Sequence, residues 1–297
     1  MVKAKTWILK KHFEGFPKES NFELREEVLP ELQDGGMDNI YICIFVYLRY
    51  RGTELAKVVK SKDPAFPEGC YVVANCGWRT HTYPNGPVIF QCPWLLVPWG
   101  CLGNVITNTA RETILVSAAA GAVGAMVGQI CKIKGCKVVG SAGGDDKVAY
   151  LKELGFDQAF NYKTVSSLEE ALKNASPEGY DCYFENVGVP FFTEALKNMK
   201  PGGRTAVCGA RANYNDTTPQ MCTYPHHEII TRQLKIEGFM VRSWQHKDAE
   251  YIKRMLKWME EGKLKAKEVD TVGFENMPAA FIKMLKGDGL GKAIVKV

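Results

Sequence analysis

The chain has 297 residues, 46% of them hydrophobic and 24% charged, which suits one large or two ordinary folded domains and excludes extended disorder. Its net charge of +5 is mild and its lysines are scattered, so neither a nucleic acid nor an anionic membrane surface is an expected partner. Ten cysteines without one Cys-x-x-Cys pair, and five histidines without a ligand spacing, exclude a recognisable zinc site.

The opening MVKAKTWILKKHFEGF sets lysines on both sides of a Trp-Ile-Leu run and lacks the apolar segment and cleavage site of a secretory signal, so a cytoplasmic location with reduced thiols is expected. Further on, Thr82 to Ala110 carries no charge and is interrupted by Pro84, Pro87, Pro93 and Pro98. Such a stretch reads as deeply buried or poorly folded rather than as a surface loop.

From Thr113 to Cys131 another 19 residues pass without a charge, close to the length of a membrane span. Five alanines, three glycines and several polar residues make it a weak span, and its character changes halfway. Thr113 to Val116 is β-branched and apolar, as in a buried strand. Ala118 to Gly121 fits a tight turn, and Val123 to Ile133 a helix with Val123, Met126, Val127 and Ile130 at helical spacing. Strand, glycine turn and helix together form a pyrophosphate site, because absent side chains admit the ligand and the helix N-terminus offers amide donors. Gly128 is then expected to serve close packing of the helix on the sheet.

Cys136 to Ala142 reads as a second strand, Lys147 to Leu154 as a helix, Gln158 to Tyr162 as a third strand and Asp181 to Asn186 as a fourth. A helix ending near Lys200, a Pro-Gly-Gly turn and a fifth strand, Arg204 to Cys208, complete the alternation of a doubly wound parallel sheet. The adjacent His226 and His227 read as loop residues. Near the C-terminus, Ile252, Met255, Leu256 and Met259 form a core stripe on a helix from about Ala249 to Glu261.

The second strand ends in Gly140-Ser141-Ala142-Gly143-Gly144, with no acid to receive an adenosine ribose hydroxyl. That counts against NAD and against S-adenosylmethionine and favours NADPH, with Lys147 beside its 2′-phosphate. Lys147 as a solvated residue of a helix's first turn remains an equal alternative on spacing alone.

The segments AAAGAVG, KGCKVVG, DKVAYLKELGFDQAFNYKT, EGYDCYFENVG and GFENMPAAFIKMLKGDGLGKAIVKV, with the opening KTWILKKHFEGFP, closely resemble the prostaglandin reductase family of the zinc-independent medium-chain dehydrogenase/reductase superfamily. The resemblance covers residues 1 to about 35 and 111 to 297. It implies an α/β fold with a Rossmann doubly wound parallel sheet plus a shortened GroES-like β-rich catalytic domain. The implied division is an N-terminal catalytic part over 1–105, the NADPH-binding domain over 106–265 and a C-terminal return over 266–297.

The same resemblance implies that Gly121, Ala122, Val123 and Gly124 hold the cofactor pyrophosphate, and that Lys147 and Tyr162 flank the adenosine phosphate. Asn186, the run Cys208, Gly209, Ala210, Arg211, Ala212, Asn213 and Tyr214, and then Phe239, Met240 and Val241 would line the cofactor towards its nicotinamide ribose. Tyr214 is the candidate catalytic residue, orienting that ribose hydroxyl. Read without the resemblance, Asn186 would close a strand-end turn, Tyr162 would cap a sheet edge and Phe239 to Val241 would be core strand. The implied reaction is NADPH-dependent reduction of the carbon-carbon double bond of an enone or lipid carbonyl substrate, such as a 15-oxoprostaglandin or an alkenal, without a metal. A homodimer is also implied.

This sequence departs from the family at four places. Residues 36–60 are shortened, with Val46-Tyr47-Leu48-Arg49 in place of an Asp-Pro-Tyr-Met-Arg-like motif, and so is the segment around 90–110. Gly289 replaces an asparagine that reaches the cofactor, and a tyrosine upstream of Phe239 is missing. A relative that binds NADPH without turnover, and a quinone reductase, are therefore the competing expectations.

Overall fold

The computed structural model describes residues 2–29, 37–38, 54–61, 67–74, 77–81 and 111–297. The expectations for Val46 to Arg49, the uncharged run from Thr82 to Ala110 and the shortened segment 90–110 lie outside the described residues. The chain divides into two compact units, Met1–Gln91 with Glu268–Val297, and Cys92–Lys267.

In the first unit, β1 (Val2–Leu9) and β2 (Phe22–Leu29) pair antiparallel along their whole length. Short strands β3 (Met37–Asp38) and β5 (Lys60–Ser61) pair with each other, as do β4 (Glu54–Lys57) and β6 (Tyr71–Ala74), where Ala56, Val58 and Val72 form a small core.

The second unit carries the sheet that matters for a ligand. Strands β7 (Thr113–Val116), β8 (Lys137–Ala142), β9 (Gln158–Asn161), β10 (Tyr180–Glu185), β11 (Met199–Val207) and β12 (Lys235–Gly238) lie in the order β12-β11-β10-β7-β8-β9, and all five pairings are parallel. The order reverses between β7 and β10, which makes their carboxyl ends the topological switch point where such sheets take ligands. Strand β7 is buried on both faces, which is why its four residues are uniformly apolar or β-branched instead of alternating.

The crossover helices are α1 (Ala122–Ile133), α2 (Asp145–Glu153), α3 (Leu168–Ala175), α4 (Phe191–Lys197) and α5 (His226–Thr231), followed by α6 (Asp248–Glu260). Ser167 caps α3 by accepting the Glu170 amide at 3.2 Å, and Leu172 and Tyr180 pack beneath it with the Tyr180 hydroxyl donating to the Leu172 carbonyl at 2.7 Å. In the first unit, α7 (Met277–Lys286) connects β13 (Glu268–Val272) to its parallel partner β14 (Lys292–Lys296). Phe22, Trp78, Phe274, Met277 and Val295 form its core, and the Trp7 indole donates to the Phe274 carbonyl at 2.9 Å, so the two ends of the chain share one unit.

The 19 uncharged residues from Thr113 are thus a strand, a turn and a 12-residue helix, and no helix among the described residues is long and apolar enough to cross a membrane. Several sequence expectations need correction. The Pro-Gly-Gly tripeptide does not precede the fifth strand but bulges within it: Met199 pairs with Tyr180, and pairing resumes with Arg204 opposite Cys182. His226 and His227 open α5 instead of lying in a loop. On α6 the buried residues include Tyr251 and Met255, while Leu256 is half exposed. Phe239 to Val241 follow the end of β12 and are not strand. Gly128 makes room for a ring and not for the sheet itself: a Cβ there would lie 1.9 Å from Cζ of Phe156, whose ring also crowds Gly140 of β8.

Candidate cofactor and active site

The turn between β7 and α1 is built so that backbone packs on backbone. A Cβ on Gly124 would fall 2.7 Å from both the Ala118 carbonyl oxygen and the Ala119 Cα, so only glycine lets α1 sit this close to its own turn. Ala118 occupies the left-handed region at φ 48°, an uncommon conformation for a residue with a side chain. Gly121 caps α1 in an extended conformation, no side chain bonds the first-turn amides, and no acid stands there. A Cβ at Gly121 would meet only the Ala118 carbonyl, at 3.4 Å. The amides of Ala122, Val123 and Gly124 and the positive end of the helix dipole are therefore not engaged by a capping side chain or an acid, and the residues present fit a dinucleotide pyrophosphate.

The strand ends on one side of this turn are basic and aromatic. Tyr162 follows β9, donates its amide to the Ala142 carbonyl at 3.1 Å, and sets its ring edge-on to Phe191 at 6.5 Å. Its hydroxyl and the Lys163 stem lie over Gly143, where a Cβ would come within 3.0 Å of each. Lys147 sits in the first turn of α2, half-buried. Asp145 begins that helix, three residues past the end of β8, and accepts the Asn161 side-chain amide at 2.8 Å. Lys163 escaped the sequence reading, and its signal was its place two residues past the end of β9, the strand adjacent to β8.

On the other side of the switch point, Ser117 ties β7 to β10. It is fully buried, and its hydroxyl accepts the Asn186 amide at 2.9 Å while its carbonyl accepts the Asn186 side-chain nitrogen at 2.7 Å. The turn after β10 in turn holds the segment after β11. The Glu185 carbonyl accepts the amides of Cys208 and Gly209 at 2.9 and 3.2 Å, the Asn186 carbonyl that of Arg211 at 3.0 Å and the Val187 carbonyl that of Ala212 at 2.8 Å. Gly188, at φ 92°, must be glycine because a Cβ would strike the Asn213 side-chain oxygen at 2.1 Å.

Tyr214 curls back onto this segment. Its hydroxyl accepts the Ala210 amide at 3.2 Å and covers Gly209, and burial raises its pKa, so it stays protonated and keeps its own proton to donate. Phe239 sets its ring 6.2 Å from Phe184, Met240 is exposed, and Val241 begins the following 3-10 turn. Asn186 and Cys208 to Tyr214 are thus brought together directly, and Ser117 links them to the chain leading into Gly121. Lys147 and Tyr162 form a separate group at the β8 and β9 ends.

Two functional candidates had no sequence motif: Ser117 and Glu185. Glu185 is 1% exposed, and its carboxylate accepts the amides of Val187 and Gly188. Burial pushes its pKa up to about 7, against the opposing pull of those two amides and of Ser117. The Cys208 thiol beside it is pushed up to about 12 by burial and by the Glu185 charge.

The family described as zinc-binding dehydrogenase matches residues 122–261. Among the described residues, no group of three or more His, Cys, Asp or Glu side chains could hold a metal ion, so that part of the family's description finds no ligand set there. The chain is 48% identical to the prostaglandin reductase 1 of Rattus norvegicus, with all of each chain covered. That alignment runs over 328 positions against 297 residues here, so this chain is the shorter of the two. It is 34% identical to the 2-alkenal reductase (NADP(+)-dependent) of Nicotiana tabacum, covering 100% of this chain and 98% of the other. Among solved structures, CurA of Vibrio vulnificus in complex with NADPH superimposes with a TM-score of 0.91 at 28% identity, covering 99% of each chain. By its length-wide identity to these relatives and by its parallel sheet and glycine turn, the chain belongs to the prostaglandin reductase family of the medium-chain dehydrogenase/reductase superfamily.

Proposed function

We propose that this chain is an NADPH-dependent reductase of the carbon-carbon double bond of α,β-unsaturated carbonyl compounds, with lipid-derived alkenals and oxoprostaglandins as its substrate class. The observation that carries the reading is the helix start at Gly121 to Gly124, free of side-chain caps, at the switch point of a sheet whose second strand ends without an acid, with Tyr162 and Lys163 over Gly143 after that strand and Lys147 in the helix that follows. The names of the rat and tobacco relatives support the enone as acceptor.

Bound NADPH supplies a hydride for the β-carbon of the enone. The chain's own residues bind and orient. The amides of Ala122 to Gly124 hold the pyrophosphate, and Lys147, Lys163 and Tyr162 take the adenosine 2′-phosphate. Asn186 and the segment Cys208 to Tyr214 border the nicotinamide ribose, where the protonated Tyr214 hydroxyl orients the ribose hydroxyls. Phe239, Met240 and Val241 complete that wall. Rate enhancement then comes chiefly from positioning two reactants, with donors near the carbonyl oxygen as enolate charge develops. The cofactor-binding residues and Tyr214 all belong to the unit containing the sheet. A cytoplasmic location and a homodimer, to be measured by light scattering, complete the reading.

Stopped-flow mixing of the protein with NADPH and then with a medium-chain alkenal or a 15-oxoprostaglandin tests it. Enhanced cofactor fluorescence followed by its loss is the expected trace. Binding without oxidation by either enone leaves an inactive cofactor-binding relative, and oxidation by a quinone alone moves the acceptor class.

A further inference from the structure

The turn that follows β10 hangs on one buried side chain. The Glu185 carboxylate accepts the amides of Val187 and Gly188, while its main-chain carbonyl accepts those of Cys208 and Gly209. The next two carbonyls, of Asn186 and Val187, receive Arg211 and Ala212. One residue therefore shapes its own turn through its side chain and docks the neighbouring segment through its main chain. Its second carboxylate oxygen is buried without a hydrogen-bond partner, so the side chain's hold is concentrated on those two amides.

We propose that Glu185 is a positioning residue for the cofactor wall: its negative charge locks the Val187 and Gly188 amides, and loss of that charge loosens the turn carrying Asn186 together with the Cys208 to Tyr214 segment. The inference rests on the NADPH reading for its functional consequence but not for its structural one. A charged acceptor binds an amide roughly twice as strongly as a neutral one, so a protonated Glu185 keeps the same geometry with a weaker grip. The groups bearing on it are few. Ser117 contributes a hydroxyl from the β7 end, Cys208 a thiol from the β11 end that burial keeps protonated, and Tyr214 a phenol that is likewise neutral. Arg211 acts on Tyr214 across the same segment. Of these, Glu185 alone changes charge around neutrality, its pKa being held at about 7 by burial.

Hydrogen exchange of the Val187 and Gly188 amides in the cofactor-free protein, corrected for intrinsic rates, is measured between about pH 6 and pH 8 for the wild type, Glu185→Gln and Glu185→Asp. NADPH affinity is titrated by fluorescence over the same range. The wild type is expected to gain protection and bind NADPH roughly 5- to 10-fold more tightly at the upper end, after subtraction of the Glu185→Gln profile, which carries the cofactor phosphate's own titration. In amide exchange Glu185→Gln should resemble the low-pH wild type at every pH, and Glu185→Asp should recover part of the pH response. Equal protection at both ends of the range in the wild type, or a Glu185→Gln profile parallel to it, overturns the proposal. A wild type that shows the exchange response and binds no NADPH overturns the cofactor reading and leaves the turn assignment standing.

Discussion

Asn186 holds Ser117 from two directions, main chain to hydroxyl at 2.9 Å and side chain to carbonyl at 2.7 Å, and so fixes the end of β10 against the end of β7. The Tyr183 hydroxyl adds a third bond to the Ser117 oxygen at 3.3 Å. Ser117→Ala removes the acceptor of the Asn186 amide inside a buried site, which costs about 1–3 kcal/mol. A lower Tm by several degrees and weaker NADPH binding are expected together, read by calorimetry and fluorescence titration. An unchanged Tm would mean that the Asn186 amide finds another partner.

Gly128 and Phe156 predict a packing conflict. Gly128→Ala places a methyl 1.9 Å from the Phe156 ring and should cost at least the ~1–3 kcal/mol of an overpacked core. Combined with Phe156→Leu, the loss should be smaller than the two single losses added, because the second change opens the space the first needs. Urea denaturation of the four proteins measures this coupling, and strict additivity would refute it.

Lys147 and Lys163 bear on cofactor choice. Replacing either by Ala should weaken NADPH binding by roughly tenfold and leave NADH binding nearly unchanged, since only the former carries the 2′-phosphate. Parallel losses for both cofactors would place these lysines elsewhere on the ligand.

Stability should follow the ionisation of Glu185 in a defined direction. Folding raises its pKa from 4.5 to about 7, so its contribution to stability is full below the ordinary value and is lost as pH rises through 7. The sum is about 3 kcal/mol at most. The difference in stability between wild type and Glu185→Gln should shift against the wild type from about pH 5 to pH 8 in denaturant titrations. The same ionisation that weakens the fold tightens the Val187 and Gly188 turn, a trade between stability and a positioned site.

Gly289 has open space where a Cβ would stand. Gly289→Asn should leave Tm almost unchanged, as read by calorimetry. A fall of several degrees would show that the space beside Gly289 is not open to a side chain.

The sequence by itself determined the local grammar of the cofactor unit. The apolar or β-branched run Thr113 to Val116, the glycines at 121 and 124, and the helical spacing after them dictate strand, turn and helix, because these preferences depend on a few neighbouring residues. The missing acid after Ala142 was legible for the same reason. What only the tertiary structure decided involves residues far apart in the chain. Gly128 acquires its meaning from Phe156, 28 positions away, and β12 with its polar Lys235–Gly238 sequence is a strand because Arg204 to Val207 offer it a ladder. Ser117 and Glu185 carry no motif: each is one polar residue at a strand end, and its role arises where parallel strands bring separate turns side by side and burial forces every amide to find a partner.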